Sequence, residues 1–138
     1  AVKYADIVTQ SFHPVKVITT GEGGAVLTNY KKFFDRINIL RTHGIERNKK
    51  LKKKFGNWYY QMNFLGYNYR LSDLQASLGI SQLKKITKFI NKRKKLAKMY
   101  DFYFKDNSLF STPRTESYCD HSYHIYPLKI NFNLLSFI

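Results

Sequence analysis

Acidic residues are scarce: nine Asp and Glu stand against 24 Lys and Arg, giving a formal charge of +15 over 138 residues. A field of that sign draws in nucleic acid, anionic membrane or an acidic small molecule, but it speaks to association rather than to a site. Cysteine is nearly absent. The one thiol, Cys119, excludes an internal disulfide and fits a reducing, cytoplasmic setting. No apolar run reaches the length of a membrane span or a signal-peptide core, so no membrane partner is expected. Internal repeats and low-complexity linkers are also missing, and the length sets a ceiling of one domain. What is plentiful is apolar and aromatic: 43% hydrophobic residues and 17% Phe, Trp and Tyr exclude the signature of disorder. The lysines come with many Asn, Ile, Tyr and Phe, a combination that AT-rich coding produces unaided, so charge alone is weak ground for nucleic-acid binding.

The pattern predicts an α/β arrangement. Residues 5–12 read as a strand, with Ile7, Val8 and Thr9 suited to a pleated surface. Pro14 fixes its own backbone angle and pushes His13 to an extended one, so Lys16 falls on a constrained turn. Gly21, Gly23 and Gly24 permit a close or left-handed turn before a second short strand at 25–28. Asn29 is placed to cap a helix over about 29–43, with Phe33, Phe34, Ile37 and Leu40 on one face and Gly44 at its stop. Periodicity fails over 45–69, which reads as a long loop. Ser72 with Gln75 forms a capping-box pattern, opening one long or kinked helical region to about Phe104 with Gly79 as its weak point. A strand is expected from about His121, with Pro127 at an edge or bulge.

Several chemistries compete. A desolvated lysine is a nucleophile toward carbonyl groups, and Lys16, between Pro14 and a glycine-rich turn, is a candidate; on the local sequence alone an ordinary surface-loop lysine is the better reading, since isolated lysines are mostly exposed. Ser11, Thr19, Thr20 and nearby backbone N–H groups offer donors for a phosphate, although a plain hairpin turn explains the same residues. "GEGG" lacks the ending of an ATP-binding loop and the spacing of a dinucleotide fingerprint. Cys119, His121 and His124 suggest a metal only superficially, since alternation would point the two histidines to opposite faces of a strand. The basic run from Lys84 to Lys98 reads as a solvated helix face, because the apolar residues between the charges keep core spacing.

Four stretches in order, "SFHPVKVITTGEGGAVLTN", "LRTHGI", "LGYNYRLSDLQASLGISQLKK" and "HIYPL", resemble the DegT/DnrJ/EryC1/StrS sugar aminotransferase family from about Ala5 to Leu128. Their wording is nearest to members that aminate UDP-linked 4-keto-6-deoxy sugars for pseudaminic acid. The resemblance implies a fold-type-I enzyme dependent on pyridoxal 5'-phosphate and working as a homodimer. It implies that Lys16 forms the Schiff base with the cofactor and moves the proton, that Ser11 bonds the cofactor phosphate, and that Asn68 reaches the phosphate in the neighbouring subunit. The implied substrates are a nucleotide sugar and an amino acid, with L-glutamate the expected donor, in surface polysaccharide or nonulosonic acid synthesis.

The same resemblance implies an internal fragment. Residues 1–70 would be the end of the large cofactor domain, 71–105 a long connecting helical region and 106–138 the start of a small domain. The family's phosphate loop, ring-stacking aromatic and acidic partner of the pyridine nitrogen have no counterpart here. Such a piece is expected to leave apolar faces uncovered. Three readings stay open at this level: an enzyme completed by further sequence, an inactive remnant, and a basic nucleic-acid-binding module.

Overall fold

The computed structural model describes residues 2–46 and 48–134. Two antiparallel strands, β1 (Val8–Ser11) and β2 (Gly24–Leu27), pair from Val8 opposite Leu27 to Ser11 opposite Gly24. Gly24 is required by this pairing, because a Cβ there would come within 2.7 Å of the Gln10 carbonyl oxygen. The first strand is shorter than the expected 5–12. Outside the ladder, the Thr28 hydroxyl donates to the Asp6 carbonyl at 2.7 Å, and the Asn29 amide donates to the Val2 carbonyl at 3.2 Å.

That use of Asn29 corrects its expected role as a cap. Helix α1 (Lys31–Leu40) starts after Tyr30, which makes no side-chain capping bond. Its C-terminus also falls earlier than expected. The Thr42 hydroxyl donates back to the Asn38 carbonyl at 2.7 Å, and His43 and Gly44 both turn left-handed, at φ 63 and 68°. Phe33, Ile37 and Leu40 are half-buried as the spacing predicts, whereas Phe34 is 58% exposed.

The expected loop over 45–69 instead contains β3 (Ile45–Glu46), α2 (Lys49–Phe55) and β4 (Gln61–Met62), with β3 and β4 paired. Asn48 caps α2 by accepting from the Lys50 N–H at 2.8 Å, and the helix ends in three lysines that suit its negative pole. A seven-residue lysine-rich helix has little apolar periodicity, which is why the pattern hid it.

Ser72 opens α3 (Asp73–Leu83) with the full reciprocal capping box to Gln75. The break between α3 and α4 (Ile86–Phe104) falls at Lys84 and Lys85 rather than at Gly79. Glycine suits this helical position for a packing reason: a Cβ on Gly79 would lie 2.9 Å from Thr20 Cγ2. Beyond α4, β5 (Phe110–Ser111) pairs with β6 (Lys129–Ile130). Residues 121–128 are not the expected strand; Tyr123 takes a left-handed φ of 49°, and pairing begins only past Pro127.

Burial is thin. Among the described residues, Thr20, Gly44 and Ala97 alone are buried, while Leu74, Ile80 and Leu83 on α3 are 84, 59 and 56% exposed. The uncovered apolar faces anticipated from the sequence are therefore present. No described helix is long and apolar enough to cross a membrane.

Candidate active site

The stretch leaving β1 is folded into a closed loop that presents Lys16. Pro14 sits in a turn in which the Lys16 N–H donates to the His13 carbonyl at 2.9 Å. The loop is tied at its neck: the Phe12 carbonyl accepts from both the Thr20 N–H and the Thr19 hydroxyl, each at 2.9 Å. Thr20, 4% exposed, also donates from its hydroxyl to the Glu22 carbonyl at 2.7 Å. The two threonines are thus committed to holding the loop, which answers why hydroxyls cluster there.

Lys16 lines a cavity of about 880 Å³ bounded by Ser11, Leu27 of β2, Gly79 and Ile80 of α3, and His124. Its Nζ lies 3.4 Å from His124 Nε2, a long hydrogen bond between residues 108 positions apart. Nδ1 of the same imidazole is buried and, among the described residues, meets no polar partner. A buried ring nitrogen left so costs about 1–3 kcal/mol of unrecovered desolvation, and such orphans in folded proteins call for a specific explanation. Ser11 sits at the cavity edge, exposed, with its hydroxyl accepting from the His13 N–H at 3.4 Å. Lys16 and Ser11 are therefore brought to one cavity.

Asn68 is not. It lies on "GYNYR", which zips against the end of α1: the Tyr67 N–H donates to Leu40, the Tyr69 N–H to Arg41, and the His43 N–H to Tyr67, at 2.7 to 2.9 Å. Gly44 and Gly66 allow this approach, since a Cβ on Gly66 would sit 2.2 Å from the Gly44 nitrogen. Asn68 lines a second groove of about 870 Å³ with Arg41, Val26 and Thr28. Alternation along β2 places Leu27 on the first cavity and Val26 and Thr28 on the second, so the two grooves occupy opposite faces of the hairpin.

The three residues weighed for metal are dispersed. Cys119 is exposed, His121 Nδ1 accepts from the Tyr123 N–H at 3.0 Å, and His124 faces Lys16. The pairing of His124 with Lys16 escaped sequence reasoning, which weighed His124 only as a ligand or a strand residue; its signal was its place in "HIYPL". The basic run is also only partly a solvated face: Arg93 and Lys94 are half-buried and bond the 120–124 segment, whereas Lys84, Lys85, Lys88, Lys92, Lys95 and Lys98 are exposed.

Comparison with known proteins finds relatives in both sequence and fold. A UDP-4-amino-4,6-dideoxy-N-acetyl-beta-L-altrosamine transaminase of Campylobacter jejuni is 47% identical over 128 residues, 93% of this chain and 32% of that protein. Among solved structures, Helicobacter pylori PseC, an aminotransferase of pseudaminic acid biosynthesis, superposes with a TM-score of 0.83 at 34% identity, covering 94% of this chain and 33% of its own. The PLP form of the Streptococcus pneumoniae sugar aminotransferase Spr1654 gives 0.80 at 26% identity, over 96% of this chain and 33% of its own. The chain thus spans about a third of the length of these relatives. The model of the DegT/DnrJ/EryC1/StrS aminotransferase family matches residues 1–135, and the chain belongs to that family.

Proposed function

We propose that this chain forms part of a pyridoxal-phosphate-dependent site that moves an amino group, with L-glutamate as donor, onto a nucleotide-linked 4-keto-6-deoxy sugar in surface polysaccharide or nonulosonic acid synthesis in the cytoplasm. The observation that carries the reading is the Lys16 amine on an open cavity, with Ser11 at its rim and His124 against its Nζ. These residues fit the cofactor. The volume suits a small organic ligand, the amine is the carbonyl-reactive group, and the orphaned His124 Nδ1 is a polar atom in want of a partner. Bound there, pyridoxal phosphate would supply the electron sink for transamination.

The chain's own residues would do the rest. Lys16 would bond the cofactor carbonyl and carry the proton at Nζ. Ser11 would hold the phosphate through its hydroxyl, and the double tie at the Phe12 carbonyl would keep the Lys16 loop from drifting. The Nε2 of His124 is within reach to share a proton with Lys16 Nζ. The place of Asn68 on the opposite face of the hairpin supports a role toward a second subunit's cofactor in a homodimer. On the same reading, residues 1–70 belong to the large domain, 71–105 to the connecting helices and 106–138 to the small domain.

The test is to add pyridoxal phosphate, reduce with borohydride and map the adduct by mass spectrometry. A single dominant adduct on Lys16, lost in Lys16→Ala, is expected; label spread evenly over the exposed lysines would overturn the assignment. An adduct without amino transfer from L-glutamate to a UDP-linked 4-keto-6-deoxy sugar would favour the remnant. Steeply salt-dependent nucleic-acid binding with no adduct would favour the basic module.

A further inference from the structure

The segment carrying His124 is laid along α4 and fastened to it at three places. Lys94 pairs with Asp120; Arg93 Nη1 donates to the Tyr123 and His124 carbonyls at 3.1 and 3.2 Å; the Tyr126 hydroxyl donates to Asp101 Oδ1 at 2.5 Å. Arg93, Ala97 and Asp101 recur every four residues and so share one helix face, and Ala97 between them is buried. Tyr123 is held at φ 49°, a conformation that a non-glycine residue keeps only when its surroundings over-determine it. Arg93 bonds the two carbonyls that flank the His124 Cα, the point where that turn aims the imidazole at Lys16. Its charged N–H groups make such bonds stronger than neutral donors would.

We propose that Arg93 is a positioning residue for the reaction: it holds the Tyr123–His124 backbone so that His124 Nε2 stays against Lys16 Nζ. The proposal rests on the reading of Lys16 as the reactive amine. Among the described residues Arg93 makes no bond to Lys16; it acts through His124.

The test uses the whole 138-residue chain without cofactor and two readouts. One is the ring nitrogen-15 resonances of His124, assigned by their loss in His124→Asn. The other is the acylation rate of Lys16 relative to Lys84 and Lys88, followed by mass spectrometry. In Arg93→Gln, the Nε2 resonance is expected to move to where Lys16→Ala puts it. Lys16, freed from its hydrogen bond, is expected to acylate about two- to tenfold faster. Arg93→Lys, which keeps a charged donor, should restore both in part. Wild-type readouts in Arg93→Gln would overturn the proposal, as would a wild-type ring resonance that ignores Lys16→Ala. If Arg93→Gln loses helix by circular dichroism, Arg93→Met with its helix intact decides, and there a wild-type pair refutes positioning. Failure of pyridoxal phosphate to attach would leave these readouts as they are, so the two readings fail separately.

Discussion

Gly79→Ala sets two effects of opposite sign against each other. In an isolated helix the change stabilises by about 1 kcal/mol, because glycine loses more backbone freedom. Here the new methyl would fall 2.9 Å from Thr20 Cγ2. Thr20 cannot retreat cheaply: its N–H is bonded to Phe12 at 2.9 Å and its hydroxyl to Glu22 at 2.7 Å. Overpacking a fixed neighbour costs about 1–3 kcal/mol, so global stability should fall by about 0–2 kcal/mol. Local opening of the Lys16 loop separates the terms, because α3 is formed in both the closed and the opened state and the propensity gain cancels. The full clash then appears as about five- to 150-fold faster hydrogen exchange of the Thr20 amide. Thr20→Ser removes Cγ2 but keeps the hydroxyl, so it should rescue most of the loss in the double variant. Thr20 exchange unchanged in Gly79→Ala, or a double variant no better than the single one, would refute the packing account.

The Tyr126 hydroxyl is pushed up to about 12 by burial first, then by its hydrogen bond to Asp101 and the charge of that carboxylate. A phenol with a raised folded-state pKa contributes stability that is fully present below about pH 10 and is lost as pH rises from about 10 through 12. Tyr126→Phe should therefore flatten alkaline unfolding over that window, followed by circular dichroism; an unaltered profile would remove Tyr126 as its source. At the start of α3, Ser72→Ala should cost about 1 kcal/mol of stability in urea unfolding. Gln75→Ala should cost more, because Gln75 also bonds the Glu22 carbonyl at 2.9 Å; the reverse order would show that the tie to the 21–24 turn contributes nothing.

Short-range chemistry was legible in the residues and long-range contact was not. The capping box at Ser72 and the turn at Pro14 follow from bonds made within a few positions, and both are present. Asn29 misled because its amide reaches back to Val2 instead of serving the helix beside it. Gly79 looked like a weak point because sequence shows propensity and not the threonine packed against it. The site divided in the same way. Lys16 and Ser11 could be singled out from one motif, but the meeting of Lys16 with His124 spans 108 positions, and Arg93 was hidden among lysines whose charge it shares and whose task it does not.

Strand β2 is four residues long and serves as a party wall between two chambers. Ala25 lines both. By alternation its side chain shares the face of Leu27, so a bulkier residue there would crowd the lysine side, while the Asn68 side answers to Val26 and Thr28. Alternate positions of one short strand therefore set the two chambers separately, and either can be reshaped by drift or by design while the other is kept.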